Sequence, residues 1–122
     1  MAGGKVSGRF GRSRRIILTR DFARAYAAKC SAVDQYLAVY AVPNGLAQSR
    51  LGLSVSRRVG DAVTRNHIKR LLREAFRTSL GELPEGFDIV AVVRKEACNA
   101  DFNTVKSSLV TLAQRACKRC GK

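Results

Sequence analysis

Between Ser56 and Arg77 the sequence reads SRRVGDAVTRNHIKRLLREAFR, a pattern suited to gripping a polyanion rather than to making or breaking a bond. Arg65, Asn66, Lys69, Arg70, Arg73 and Arg77 recur at steps of one, three and four residues. At about 100° per residue, these six fall within an arc of roughly 140° on an ideal helix. Ile68, Leu71, Leu72, Ala75 and Phe76 fill the opposing arc, so one face is cationic and the other apolar. A face that merely meets solvent interleaves acids one turn away, and here Glu74 alone interrupts the positives. Such like-charged neighbours weaken a helix by a few tenths of a kcal/mol per pair, roughly, unless an anion offsets them. Arg57 and Arg58, just before the Val59-Gly60 turn, extend the same patch.

Aromatic residues supply the second chemistry. Phe22, Tyr26, Tyr36 and Tyr40 could stack on unpaired bases, a contact worth about 1 to 3 kcal/mol per base. For each one singly, core packing is the better explanation. In combination, an aromatic helix face beside an aromatic strand face could line one cleft.

Reactive constellations are missing by contrast. Cys117 and Cys120 have CxxC spacing, but a structural zinc needs four ligands and a redox pair sits best at a helix N-terminus. This pair falls at a helix C-terminus, which predicts reduced thiols without metal. His67 stands alone at the border between the two helix faces. The nine carboxylates are scattered, without the clustering that a two-metal nuclease or a glycosidase requires. No Ser-His-Asp or Cys-His arrangement is recognisable, so any catalysis in which the chain takes part uses groups other than its own side chains.

The balance of the chain agrees. With 122 residues it is sized for one domain. Its 23 Lys and Arg against 9 Asp and Glu give a formal net charge of +14, a self-repulsion that a polyanionic partner would relieve. No run approaches the length of about 18 apolar residues that would suggest a membrane span, and no segment is flanked as a secretory signal would be. The first twenty residues hold five Arg, one Lys and no acid; their glycines argue for a flexible basic arm over a transit peptide. Cys30, Cys98, Cys117 and Cys120 do not form a disulfide framework by spacing, and the chain reads as cytoplasmic and reduced.

The elements that must position these residues follow in order. Residues 1–18 read as the basic arm and 19–122 as a single binding domain. Thr19 is the expected N-cap of a helix from Arg20 to about Lys29, with Asp21 in its first turn. YLAVYAV, 36–42, alternates as a strand, putting Tyr36, Ala38, Tyr40 and Val42 on one face. Pro43-Asn44-Gly45 then turns the chain toward a second strand, 50–56, expected as its antiparallel neighbour. Asp61 is the expected cap of the basic helix and Gly81 the residue past its end, nineteen residues lying between them. FDIVAVVRK reads as a central strand apolar on both faces. Phe102, Val105, Leu109, Leu112 and Ala116 mark a C-terminal amphipathic helix. The result is an α+β sandwich of order α-β-β-α-β-α, helices packed on a small mixed sheet.

RLGLSVSRRVG followed by DAVTRNHIKRLLREAFR resembles the signature of the bacterial ribonuclease P protein subunit, in which a strand and a basic-Val-Gly turn lead into an Arg-Asn-Arg helix. LTRDFARAY, YLAVYAV and FDIVAVVRK extend the likeness over most of the chain. The resemblance implies the small subunit of a ribonucleoprotein that removes the 5′ leader from precursor tRNA. The RNA subunit would carry the active site and its magnesium ions, and this chain would hold no metal of its own. The family's basic helix faces the catalytic RNA, which implies that role for Arg57, Arg58, Arg65, Asn66, Lys69, Arg70 and Arg73. Its central cleft takes the single-stranded leader, implying Phe22, Tyr26 and Tyr40. A left-handed β-α-β crossover is implied too, against the general rule of handedness. The sequence departs from the family at His67, where a third basic residue is usual, at Asp61, where Asn is common, and at Arg57-Arg58, where Lys-Lys is frequent. A structural RNA binder of the ribosomal kind is the competing class; a helix-turn-helix DNA binder fails because no short helix precedes the basic one at the required turn.

Overall fold

The computed structural model describes residues 14–120. Its elements are α1 (Thr19–Ala28), β1 (Cys30–Val33), β2 (Leu37–Pro43), β3 (Arg50–Ser54), α2 (Ala62–Thr78), β4 (Phe87–Val93) and α3 (Phe102–Cys120), with short 3-10 turns at Arg57–Val59, Leu80–Glu82 and Lys95–Asn99. The four strands lie in the order β1-β2-β4-β3.

β4 takes the centre, as a strand without a polar face must. Ile89, Val90 and Ala91 are fully buried, covered from both sides. It runs antiparallel to β2 and parallel to β3, so β3-α2-β4 forms a β-α-β unit. β2 and β3 are therefore not the antiparallel neighbours that their short connection suggested, because β4 is inserted between them. The connection is tied to the turn before β4 instead of closing a hairpin. Ser49 N–H donates to Glu85 Oε1 at 2.8 Å, Ser49 Oγ donates to the Pro84 carbonyl at 2.7 Å, and Asn44 N–H donates to the Gly86 carbonyl at 2.8 Å.

β1 is a strand the sequence pattern did not announce, since Cys-Ser-Ala-Val is short and poor in β-formers. Tertiary contacts impose it. It pairs antiparallel with β2, and the turn between them is held by Asp34, whose Oδ1 accepts the N–H groups of Tyr36 and Leu37 at 2.8 and 2.9 Å. Tyr36, just ahead of β2, packs with the α3 side of the sheet and so does not share a face with Tyr40.

The helix ends show which caps hold. Asp61 caps α2 as expected, its Oδ1 accepting Thr64 N–H at 2.9 Å. The helix has 17 residues and stops at Ser79, while Gly81 sits in the following 3-10 turn rather than past the helix end. Leu18, not Thr19, occupies the cap position of α1, with no side-chain bond, and Lys29 closes that helix at φ 59°.

The main core lies between one sheet face and the inner sides of α2 and α3, where Leu37, Val39, Ile89, Ile68, Leu72, Phe76, Leu109 and Leu112 meet. On the other face Val90 packs against Ala25 of α1 and Ile16. Of the expected arm, residues 1–13 lie outside the described residues. Residues 14–16 are docked along β3: Arg15 bridges to Leu51, and Ile16 N–H donates to the Leu51 carbonyl at 2.9 Å.

The cysteines correct another expectation. Cys30 and Cys120 form a disulfide that joins the start of β1 to the end of α3, with Cα atoms 5.4 Å apart. Spacing could not reveal a pair 90 residues apart in sequence. The CxxC partner of Cys120 is not bonded to it; Cys117 is a buried free thiol whose pKa burial pushes up to about 12. No helix among the described residues is long and apolar enough to cross a membrane.

Candidate nucleic-acid interface

α2 owes its orientation to its apolar side. Ile68, Leu72, Ala75 and Phe76 are sunk in the core, which turns the opposite side outward. Asn66, His67 and Arg70 are exposed, and Arg65, Lys69 and Arg73 are half-buried along the flanks. Arg57 and Arg58 are exposed on the 3-10 turn ahead of the helix, and buried Val59 pins that turn. Among the described residues none of these cations forms a salt bridge with an acid, although Arg65 lies near enough to Asp61 to contribute, after the Thr64 bonds, to lowering that carboxyl's pKa. Arg65 is aimed by a bond from its Nε to the Gly60 carbonyl at 3.2 Å. Arg77, at the far end, is engaged by Glu74, its Nε donating to Oε1 at 3.0 Å. That pair lowers the Glu74 pKa and raises that of Arg77, in each case first through the hydrogen bond.

Beside this face runs a groove of about 310 Å³ where α2, β3 and the segment leading into α1 converge. Arg15, Lys69 and Arg73 supply its charge and Ile16, Ile17, Phe22, Leu51 and Leu53 its apolar walls, with no acid among the lining residues. Desolvation, and then the nearby Arg15 charge, push the Arg73 pKa down. Electrostatics of this kind favour a bound anion. The expected division into a basic helix and a separate aromatic surface is therefore not strict, since Phe22 shares its groove with Lys69 and Arg73. Tyr26 and Tyr40 are a second aromatic unit, ring centroids 5.0 Å apart in edge-to-face contact. Tyr36 belongs to neither.

Helix and strand periodicity did not reveal the ionic cluster that fixes α1 to the sheet. Asp88 is fully buried, and Arg50 grips it with two bonds, Nε to Oδ1 at 2.8 Å and Nη2 to Oδ2 at 2.6 Å. Arg24 of α1 adds a bond to Oδ2 at 2.9 Å and Asn44 Nδ2 one to Oδ1 at 3.0 Å. Burial pushes the Asp88 pKa up, but these bonds together with the Arg50 charge outweigh it and hold the carboxyl below its ordinary range. The available signal was a lone acid at the head of an apolar strand, FDIVAVV, which cannot be buried without a cation. The same acid ties Arg50 and the exposed Arg24 to the sheet.

No group of three or more His, Cys, Asp or Glu side chains among the described residues is arranged to hold a metal ion. The site offers positive charge, hydrogen-bond donors and aromatic surface, a combination that binds single-stranded nucleic acid.

Comparison with known proteins gives the family. The family model for ribonuclease P matches residues 10–117. The ribonuclease P protein component of Thermotoga maritima is 41% identical over 110 residues, covering 87% of this chain and 94% of the relative. That of Caldanaerobacter subterraneus subsp. tengcongensis is 39% identical over 97 residues, covering 80% and 84%. Among solved structures, the Thermotoga maritima RNase P protein in complex with 1-(4-fluorophenyl)-2-thiourea superposes with a TM-score of 0.77 at 41% identity, over 83% of this chain and 98% of that one. The Staphylococcus aureus RNase P protein gives 0.74 at 33% identity, over 81% and 91%. A match that takes in the strand, the turn and the basic helix, and a sheet that superposes with theirs, have one meaning: the chain belongs to the ribonuclease P protein family.

Proposed function

We propose that this chain, as the protein component of the ribonucleoprotein endoribonuclease ribonuclease P, divides its contacts between two RNAs during removal of the 5′ leader from precursor tRNA. Arg57, Arg58, Arg65, Asn66 and Arg70 face the catalytic RNA. Phe22, with Tyr26 and Tyr40, receives the unpaired leader, and Lys69 and Arg73 stand where the two surfaces meet. The observation that carries the reading is the α2 ridge, whose cations from Arg65 to Arg73 form no salt bridges among the described residues and which borders a groove walled in part by Phe22.

Phosphodiester hydrolysis belongs to the RNA subunit, with magnesium ions held there. The protein's contribution is electrostatic and positional. Cations fixed on a helix neutralise phosphates where two polyanions must approach, so less magnesium is needed to bring them together. Aromatic rings hold the leader bases out of a duplex and fix the register of the strand entering the cleavage site. A cytoplasmic location without a membrane partner fits these substrates; there the Cys30–Cys120 pair would face a reducing pool.

Reconstitution tests the assignment. Protein alone should leave precursor tRNA intact, and its addition to the cognate catalytic RNA should restore cleavage at low magnesium. Affinity of the assembled enzyme should fall as leader nucleotides are trimmed. Cleavage by RNA-free protein, or affinity indifferent to leader length, would overturn the reading.

A further inference from the structure

Across the α1 side of the sheet, Tyr40 of β2, Val90 of β4 and Gly52 of β3 lie in register as one row. α1 lies over that row. Tyr26 meets Tyr40, Ala25 packs in the same small cluster as Val90, and the Phe22 ring sits over Gly52. A Cβ on Gly52 would stand 2.9 Å from both Cε1 and Cζ of Phe22 and 3.1 Å from Cβ of Ile16. The first two distances are shorter than packed carbons tolerate. Gly52 has no left-handed backbone to explain it, so the position requires space rather than a special φ.

We propose that Gly52 is a positioning residue for leader recognition: the side chain it lacks is replaced by the ring of Phe22, which is thereby seated at the wall of the cationic groove. This rests on the reading that Phe22 contacts the leader. The surrounding ties leave the ring as the part that must yield to a larger residue. Ile16 is fixed by its backbone bond to Leu51, and α1 is held down by fully buried Ala25 and by the Arg24–Asp88 bond. A methyl group at position 52 therefore drives the ring into the space bordered by Lys69 and Arg73. On backbone grounds alone alanine is the better strand residue, so the proposal predicts a loss where local propensity predicts a gain.

The test is a double-mutant cycle in the reconstituted ribonucleoprotein, measuring affinity for precursor tRNA with a full leader and for tRNA without one. Gly52→Ala should weaken binding of the leader-bearing substrate by roughly tenfold, the scale of one base stack. It should leave affinity for the leaderless tRNA and for the catalytic RNA unchanged. In a Phe22→Ala background, Gly52→Ala should cost nothing further in leader affinity. Equal losses in both backgrounds would overturn the proposal, as would a Gly52→Ala protein that binds the leader normally while Phe22→Ala does not. If Phe22→Ala itself binds the leader normally, the leader role of Phe22 is what fails, and the seat loses its function with it. Should Gly52→Ala not fold, Gly52→Ala with Phe22→Leu should fold, since the remaining contact with Ile16 requires a shift of only a few tenths of an ångström, roughly. Failure of that pair to fold would show that the ring is not the obstacle and would overturn the proposal.

Discussion

Arginine does opposite work on the two sides of β3. Arg24 and Arg50 converge on Asp88, with Asp21 3.6 Å from each guanidinium, and their charge is matched by acids of the same chain. Across the groove, Arg65, Lys69, Arg70 and Arg73 form no salt bridge among the described residues, and their charge is left for something outside. The residue types are nearly the same, and the difference is the acids among them, Asp21 and the buried Asp88. Where an acid must be buried, neighbouring arginines become structure, because an unpaired charge in the interior is far more costly than a paired one. A ridge without an acid is held in place by its apolar side alone and can keep its cations unspent.

The comparison would break most visibly at Asp88. Asp88→Ala removes four hydrogen bonds at once, two from Arg50 and one each from Arg24 and Asn44, and should cost about 3 to 5 kcal/mol in urea unfolding, at roughly 1 kcal/mol per bond. Its pH counterpart follows from the lowered carboxyl pKa. The stabilisation is fully present above the unfolded value of about 3.9 and is lost as pH falls through the lower folded value. An unfolding free energy that stays flat across that acid range, in a chain whose Asp88→Ala variant is unchanged, would remove the distinction between the two arginine groups.

Reducing the Cys30–Cys120 bond should come next, lowering stability by about 2 to 4 kcal/mol, since it closes a long loop. Thermal midpoints with and without dithiothreitol measure it. The Cys30→Ser variant should match the reduced protein and should respond no further to reductant.

On the other side of the comparison, Arg65→Ala with Lys69→Ala should leave folding within about 0.5 kcal/mol while weakening assembly with the catalytic RNA. The log-log salt slope should shrink by roughly 0.7 to 0.9 for each phosphate that is no longer neutralised. A large loss of stability would place these two residues with Arg24 and Arg50. The smallest effect is expected at exposed His67. His67→Arg adds a charge to the ridge and should steepen the salt slope by roughly 0.7 to 0.9, the increment of one phosphate, with folding unchanged.

Much of the site was legible because an amphipathic helix carries its own orientation. Once Ile68, Leu72 and Phe76 are assigned inward, geometry alone sends Arg70 outward. The Asp61 cap was legible for the same local reason, since it needs only the N–H three residues on. Helix ends without such a bond were read less well, as at Thr19 and Gly81. The Tyr36–Tyr40 face failed differently, because the turn held by Asp34 interrupts the alternation before β2 begins. The meeting of Phe22 with Lys69 and Arg73 was not legible, because it depends on where α1 crosses the sheet.

The sequence by itself determined the cationic and apolar sides of α2, the central place of β4, and the mixed α+β class, all properties of periodicity within single elements. Only the tertiary structure decided that β4 separates β2 from β3, that Cys30 meets Cys120, that Asp88 absorbs two arginines, and that Phe22 rests on Gly52. These pairings join residues 30 to 90 positions apart. Their partners are chosen by the closing of the whole sheet and the burial it makes possible, and no local pattern along the chain carries that information.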